Sequence, residues 1–391
     1  MKILHPPLIF LTSSPQSKKN AIFANLIYCF YQTNLNMSMH QRYMQRTIEL
    51  AQHGKLHTSP NPMVGCVIVH QDKIIGEGYH AEYGKAHAEV NAIHSVKNKE
   101  LLKESTLYVS LEPCSHHGKT PPCADLLIQY GIPRVYIATT DPNPKVAGKG
   151  IEKLRANGCT VEVGLLEKEA VELNKRFFYS HQKKRPYIIL KWAQTIDGYI
   201  DSNQRESQNR KDYWITNDAL RIKTHLWRAE ETAIFVGANT LINDNPQLNV
   251  RYCAGKNPVR ITFADRNLSE NLHFFDNTQP SIVFNYEKEE KIGAVYFCKL
   301  PQEENPEKAM VQKMYEMNIQ SVLIEGGQRT LQQFLHVNLW DEARVLTGNK
   351  CFGTGLQAPN IPLKPYQIDD VEGETVSWYK NFQRPSFLQT K

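Results

Sequence analysis

Apolar positions recur along the chain in two periods, and their alternation lays out the elements. Gln41–His53 places Met44, Ile48, Leu50 and Ala51 roughly on one side, the spacing of an amphipathic helix that Gly54 ends. Met63–His70 and Lys73–Tyr79 are β-branched apolar runs joined by Gln71-Asp72, which predicts a hairpin. A helix over Ala88–Val96, strand over Thr106–Ser110, helix over Cys123–Tyr130, strand over Arg134–Ala138, helix over Gly148–Ala156 and strand over Thr160–Val163 follow, closed by a helix over Glu167–Phe178. Strands alternating with helices predict a three-layer α/β/α domain.

A second series starts after His181–Arg185, a basic segment ended by Pro186 that reads as a linker. Strands are expected over Tyr187–Ala193, Ala233–Val236, Val259–Phe263, Ser281–Asn285 and Ser321–Ile324, with helices over Asn217–Ala229, Lys308–Met317 and Thr330–His336. The expected organisation is a leader over 1–38, one α/β domain over 39–181 and a second over 186–391. A length of 391 residues suits two domains.

Charge and cysteine usage narrow the class. The net charge of +6 hints at nucleic acid, but residues 1–36 hold Lys2, Lys18 and Lys19 and no acid, so half of it lies in the leader. A mean hydropathy of -0.48 and the lack of an 18-residue apolar run argue against a polytopic membrane protein. Eight scattered cysteines point to a reducing, cytoplasmic location. In the leader, Lys18-Lys19 before Ala21–Tyr31 resembles the start of a signal peptide, yet Asn25 interrupts the stretch and no small-residue cleavage site follows. Met37 or Met39 is therefore the expected initiator.

The chemistry concentrates in His87-Ala88-Glu89, Pro113-Cys114 and Cys123. A catalytic zinc needs three protein ligands and one open position, which His87, Cys114 and Cys123 supply. Glu89 is the nearby carboxylate that moves protons between water and the leaving amine, in the H-x-E…P-C-x-x-C pattern of zinc deaminases. Placing His87 and Glu89 in the first turn of one helix, and Cys114 and Cys123 at the start of the next, brings two helix N-termini to one metal. Competing readings are two unrelated core cysteines, a closed structural zinc site, a zinc-stabilised scaffold, or an RNA-acting deaminase with a C-terminal binding module. Against the last, eight residues separate the cysteines where nucleic-acid deaminases have two.

The motifs Thr58-Ser59-Pro60-Asn61-Pro62-Met63-Val64-Gly65, Gly78-Tyr79-His80, Leu111-Glu112-Pro113-Cys114 through Pro122-Cys123, and Asp141-Pro142-Asn143-Pro144 closely resemble the deaminase half of the bifunctional riboflavin-biosynthesis deaminase/reductase family. The resemblance implies a cytidine-deaminase-like domain with one Zn2+ per chain, acting on 2,5-diamino-6-ribosylamino-4(3H)-pyrimidinone 5′-phosphate. Asn61, His80 and the loop carrying His116, His117 and Lys119 then offer polar groups to a small phosphorylated pyrimidine.

No G-x-G-x-x-G follows a strand, so a Rossmann site is not indicated. Instead Ser321–Ile324 runs into Glu325-Gly326-Gly327-Gln328-Arg329-Thr330, where glycines and a helix N-terminus suit a phosphate. With Lys191–Gly198, Trp214-Ile215-Thr216, Leu226-Trp227-Arg228, Val236–Leu248 and Arg251, this turn resembles the reductase half of the same family. That resemblance implies a dihydrofolate-reductase-like domain that uses NADPH to reach 5-amino-6-ribitylamino-uracil 5′-phosphate. It assigns Ala193, Trp214, Thr240, Asp244, Gly327, Gln328, Arg329 and Thr330 to NADPH, and Asp212, Arg228, Leu248, Arg251 and Glu325 to substrate. Forked hydrogen bonds from Arg228 and Arg251 suit the substrate phosphate, and Lys191 with Glu325 suits the proton that accompanies hydride. Two segments depart from the family: Asn203–Lys211 looks long and precedes Asp212, and Ala264-Asp265-Arg266 offers Arg266 to the cofactor 2′-phosphate. No nucleic acid or membrane partner is expected, and the family reading implies a homo-oligomer, dimer or tetramer.

Overall fold

The hairpin at Gln71-Asp72 organises the first sheet. Both residues take positive φ, 47° and 58°, the conformation that matches a two-residue turn to the twist of its strands. The computed structural model describes residues 37–115, 121–144, 146–202, 214–302 and 305–382. Within it, β1 (Gly65–His70) pairs antiparallel with β2 (Lys73–Tyr79) and with β3 (Thr106–Val109), while β3, β4 (Arg134–Ile137) and β5 (Thr160–Val163) run parallel. The sheet order is β2-β1-β3-β4-β5.

Period-two burial splits the faces of this sheet. Val67, Val69 and Tyr108 pack with Met44 and Ile48 of α1 (Met39–Gln52). Cys66, Ile68, Leu107 and Val109 pack on the other face with α2 (Ala88–Ser95), α3 (Cys123–Gln129) and α4 (Lys149–Ala156) through Ala92, Ile93, Leu127 and Leu154. The expected three layers are present. Helix α1 begins two residues before the expected position because Ser38 and Gln41 close a reciprocal cap, each side chain bonded to the other's backbone N–H.

The helix expected over Glu167–Phe178 is two helices, α5 (Glu167–Leu173) and α6 (Lys175–Lys183). Asn174 breaks it: its side chain bonds both the N–H and the C=O of Met63, each at 2.8 Å. Nor is His181–Arg185 a loose connector. Helix α6 runs through Lys183, and Arg185 is buried with two guanidinium nitrogens on Asp341, at 2.6 and 2.8 Å.

Among the described residues β7 (Tyr199–Asp201) and β15 (Leu356–Gln357) form a separate antiparallel pair, and the second sheet has ten strands. From the middle outward they include β6 (Tyr187–Thr195), β8 (Ala233–Phe235), β9 (Val259–Phe263), β10 (Ser281–Asn285), β12 (Val295–Lys299), β13 (Ser321–Ile324) and β14 (Glu342–Gly348), all parallel to their neighbours in the order β12-β10-β9-β8-β13-β6-β14. Antiparallel strands finish both edges: β11 (Glu290–Ile292) beside β12, and β17 (Glu374–Lys380) then β16 (Gln367–Val371) beside β14. The pattern of apolar positions did not signal β11, β12, β14, β16 or β17. Three helices matter for the site: α7 (Asp218–Glu230), α8 (Ala238–Asp244) and, beyond α9 (Pro306–Glu316), α10 (Gln328–His336). Among the described residues no helix is long and apolar enough to cross a membrane.

Candidate active sites

His87 caps α2, so Glu89 falls in its first turn, and both expectations hold. Cys123 opens α3, but Cys114 does not: Pro122 occupies the cap of that helix, leaving Cys114 in the loop after β3 with its sulfur accepting the Cys123 N–H at 3.3 Å. His87 Nδ1 lies 3.3 Å from Cys123 Sγ and 3.6 Å from Cys114 Sγ, and the three donor atoms lie within 4.8 Å of one another. Tetrahedral zinc with bonds of ~2.3 Å to sulfur and ~2.0 Å to nitrogen requires donor separations of roughly 3.5–3.8 Å. The donor set fits that metal. A hydrogen bond from the Cys123 thiol, with His87 beside it, lowers the Cys114 thiol from its ordinary value, the direction that favours a thiolate ligand.

Glu89 stands beside this trio without belonging to it. Its carboxyl is buried, and that burial with the Cys114 charge pushes it up to about 7. Asn61 and His80 line the same cleft of about 330 Å3, a small-molecule volume, and their side chains meet at 3.3 Å. Burial lowers the His80 pKa. The loop residues His116, His117 and Lys119 lie outside the described residues.

Phe177, Asp141 and Glu112, which the sequence does not mark as site residues, also belong to this cleft. Phe177 of α6 forms part of its wall, as does Asp141, which burial pushes up to about 6. Glu112 is the third. Its two oxygens accept backbone N–H groups of Asp141, Gly148, Gly150 and Ile151, at 2.9 to 3.4 Å, tying the Pro113-Cys114 loop to the start of α4. Gly150 makes this approach possible, since a Cβ there would sit 2.1 Å from the Pro113 carbonyl oxygen. The motifs Leu111-Glu112-Pro113-Cys114 and Asp141-Pro142-Asn143-Pro144 carry the sequence signal for Glu112 and Asp141.

The second cleft, about 860 Å3, opens at the carboxyl ends of β6, β8 and β13. It gathers Lys191, Ala193, Trp214, Arg228, Thr240, Asp244, Arg251, Arg266, Glu325, Gly327, Gln328, Arg329 and Thr330. Ligands settle at the carboxyl ends of parallel strands in open α/β sheets. Gly327 caps α10 with φ 62°, and a Cβ on Gly237 would sit 2.5 Å from Thr330 Oγ1, so glycine at these positions leaves room for a cofactor phosphate at the N–H groups that open α10. These residues fit NADPH.

At the floor, Lys191 Nζ lies 3.4 Å from Glu325, and Arg228 holds that same carboxylate with Nε at 2.6 Å and Nη2 at 2.9 Å. Burial alone would raise Glu325, but Arg228 and Lys191 outweigh it and hold the carboxyl down to about 2. Burial lowers Lys191, and Arg228 adds to the effect. Glu325 is therefore ionised near neutral pH and accepts from both cations.

Two expectations meet a different arrangement, and a third lies outside the described residues. The fork of Arg228 is committed to Glu325, and its Nη1 reaches the Asn249 carbonyl, instead of standing open for a phosphate. Leu248 is buried in the core with Val236, Leu241 and Phe274 and is not part of the cleft wall, so its side chain cannot touch a substrate there. Asp212, with the segment 203–213, lies outside the described residues. Arg266 is exposed at the cleft and bonds the Asn239 side chain.

Comparison with known proteins agrees with both clefts. The family model for the cytidine and deoxycytidylate deaminase zinc-binding region matches residues 37–139, and that for the RibD C-terminal domain matches residues 186–376. The riboflavin biosynthesis protein RibD of Aquifex aeolicus is 43% identical over 331 residues, covering 83% of this chain and 91% of that protein. Its counterpart in Escherichia coli (strain K12) is 35% identical over 330 residues, covering 80% and 88%. Among solved structures, a diaminohydroxyphosphoribosylaminopyrimidine deaminase/5-amino-6-(5-phosphoribosylamino)uracil reductase from Thermotoga maritima superposes with a TM-score of 0.77 at 37% identity, covering 88% of this chain and 98% of that one. Acinetobacter baumannii RibD superposes at 0.78 with 32% identity, covering 87% and 98%. With a zinc deaminase cluster in the first half and an NADPH cleft in the second, the chain belongs to the RibD family, the bifunctional deaminase/reductases of riboflavin biosynthesis.

Proposed function

We propose that the first cleft hydrolyses the 2-amino group of 2,5-diamino-6-ribosylamino-4(3H)-pyrimidinone 5′-phosphate and that the second reduces the ribosyl ring of the product, giving 5-amino-6-ribitylamino-uracil 5′-phosphate. These are the two activities by which the Thermotoga maritima relative is named. The observation that carries the reading is the buried Glu89 beside a three-donor cluster, in one chain with a cleft whose floor pairs Lys191 with Glu325.

Bound zinc supplies Lewis acidity that activates water. Glu89 accepts the proton of that water and delivers it to the departing ammonia, a transfer suited to a carboxyl raised by burial. Asn61 and His80 orient the pyrimidine through hydrogen bonds. In the second cleft, NADPH held by the lining residues would supply the hydride for reduction of the ribosyl group. Ala193, Trp214, Thr240, Asp244 and Gly327–Thr330 hold the cofactor, with Arg266 at its 2′-phosphate. Lys191 gives the accompanying proton, and Glu325 orients Lys191 and Arg228 while Arg251 faces the substrate phosphate.

A cytoplasmic homo-oligomer, dimer or tetramer, completes the reading. The exposed outer strand β16, with Ile368 and nearby Tyr366 and Phe382 also exposed, supports association of copies. Sedimentation analysis would return a monomer if that is wrong. The catalytic reading is tested by following ammonia release and then NADPH consumption on one preparation. Glu89→Gln is expected to stop the first while leaving reduction of the deaminated compound, and loss of both would count against two independent sites.

A further inference from the structure

His225 has no role in the chemistry above, yet it stands inside the second cleft. It lies on α7 one turn before Arg228, 2% exposed, among Lys191, Arg228, Arg251 and Glu325. Burial and the charges of Arg228, Arg251 and Lys191 lower its pKa to about 4, so the ring is neutral at physiological pH. Its Nδ1 accepts the backbone N–H of Arg251 at 3.2 Å, which places the ring proton on Nε2. The edge of its ring also meets Tyr252, with centroids 4.6 Å apart at 84°.

The segment 248–251 is held at every residue by a side chain from elsewhere. Gln279 Nε2 donates to the Leu248 carbonyl, Arg228 Nη1 to the Asn249 carbonyl, and the Val250 N–H donates to Asn257. His225 makes the last of these bonds, at the residue whose guanidinium faces the cleft. Arg228 is spent on Glu325 and Arg221 pairs with Asp218, while Arg266 and Arg329 belong to the cofactor side of the cleft. Arg251, whose Nη1 makes exposed bonds to the Gln247 and Asn249 side chains, is the guanidinium assigned to the substrate anion, and its aim depends on where its backbone stands.

We propose that His225 is a positioning residue of the reductase cleft, acting through the Arg251 backbone to set the Arg251 guanidinium against the phosphate of the substrate. The inference rests on the reductase reading of this cleft. Its test is a set of full-length variants with the deaminated pyrimidine phosphate as substrate. His225→Ala is expected to raise the KM for that compound about 5- to 10-fold, the scale of one lost hydrogen bond, with kcat and the KM for NADPH within about twofold. His225→Asn, which returns an acceptor near the Nδ1 position, is expected to recover most of the loss. Adding His225→Ala to Arg251→Ala is expected to raise KM no further, since both act on one contact.

Additive effects, an unchanged KM in His225→Ala, or equal rises for substrate and NADPH would overturn the proposal. So would loss of ammonia release in both His225 variants, which reports a general folding role. A parent chain that oxidises no NADPH with the deaminated compound overturns the reductase reading itself. A parent that does so, beside an unaltered His225→Ala, overturns the positioning role alone.

Discussion

Arg176, on the helix that leaves the first sheet, grips Glu231, at the entry to a central strand of the second, through Nε at 2.6 Å and through Nη2. Glu231 is fully buried and also lies 3.7 Å from Arg344, while the neighbouring Lys175 pairs with Glu342 at 3.1 Å. The adjoining Phe177 lines the deaminase cleft, and Glu231 follows the end of α7, which carries Arg228 to the reductase cleft. The two halves are joined by charges removed from water. Removing Arg176 leaves Glu231 buried with only the more distant Arg344 beside it, a loss on the scale of a broken buried pair, roughly 3–5 kcal/mol. Arg176→Met is therefore expected to destabilise the whole chain by about that amount. Urea unfolding followed at both clefts should show one lowered midpoint.

Chelation should separate the activities. Removing the metal from His87, Cys114 and Cys123 is expected to abolish ammonia release, whereas NADPH oxidation with the deaminated compound continues. Zinc titration into the chelated protein should restore ammonia release at one equivalent per chain. Restoration requiring two equivalents, or parallel loss of NADPH oxidation, would contradict the assignment of the donors.

Arg266→Ala is expected to lower the kcat/KM for NADPH about tenfold while changing that for NADH less than twofold. The guanidinium is exposed at the cleft rim beside Asp265 and is steadied by the Asn239 side chain. The 2′-phosphate, which NADH lacks, gives it a charge to meet. Equal losses with both cofactors would place Arg266 elsewhere.

Acid should weaken the reductase half through His225. Its folded pKa, about 4, is below the ordinary value of 6.5, so the unfolded chain takes up the proton first as pH falls. The stability contributed by keeping the ring neutral is complete above about pH 6.5 and is lost as pH falls towards 4. Comparing parent and His225→Asn by urea unfolding at pH 7.5 and pH 4.5 should show the larger fall in the parent. Equal falls would mean that the ring does not feel Lys191, Arg228 and Arg251.

Much of this was legible in the chain because short-range grammar carried it. The turn at Gln71-Asp72, the His87-Ala88-Glu89 start of a helix and the Glu325–Thr330 turn each place side chains by local geometry, and the structure assembles them as that geometry implies. What was not legible depended on distant partners. Asn174 reads as an ordinary helical position until Met63, 111 residues away, takes its side chain. The fork of Arg228 reads as free in the sequence because Glu325 is 97 positions distant. Leu248 looks accessible in a polar loop, yet its φ of 53° turns it into the core. Strand β16 is hard to see because its exposed, mixed residues carry little apolar alternation, and β17 because it opens on the polar Glu374 and Thr375.

The tie from Glu112 to the start of α4 has a genetic consequence. A substitution at Gly150 adds atoms against the Pro113 carbonyl, the residue next to a zinc thiolate, although position 150 supplies no ligand. A screen for mutants that accumulate the undeaminated pyrimidine should therefore recover Gly150 alleles among those at His87, Cys114 and Cys123. Protein from the Gly150 alleles should keep the reductase activity and bind zinc weakly, a lesion in metal retention written at a position that never meets the metal.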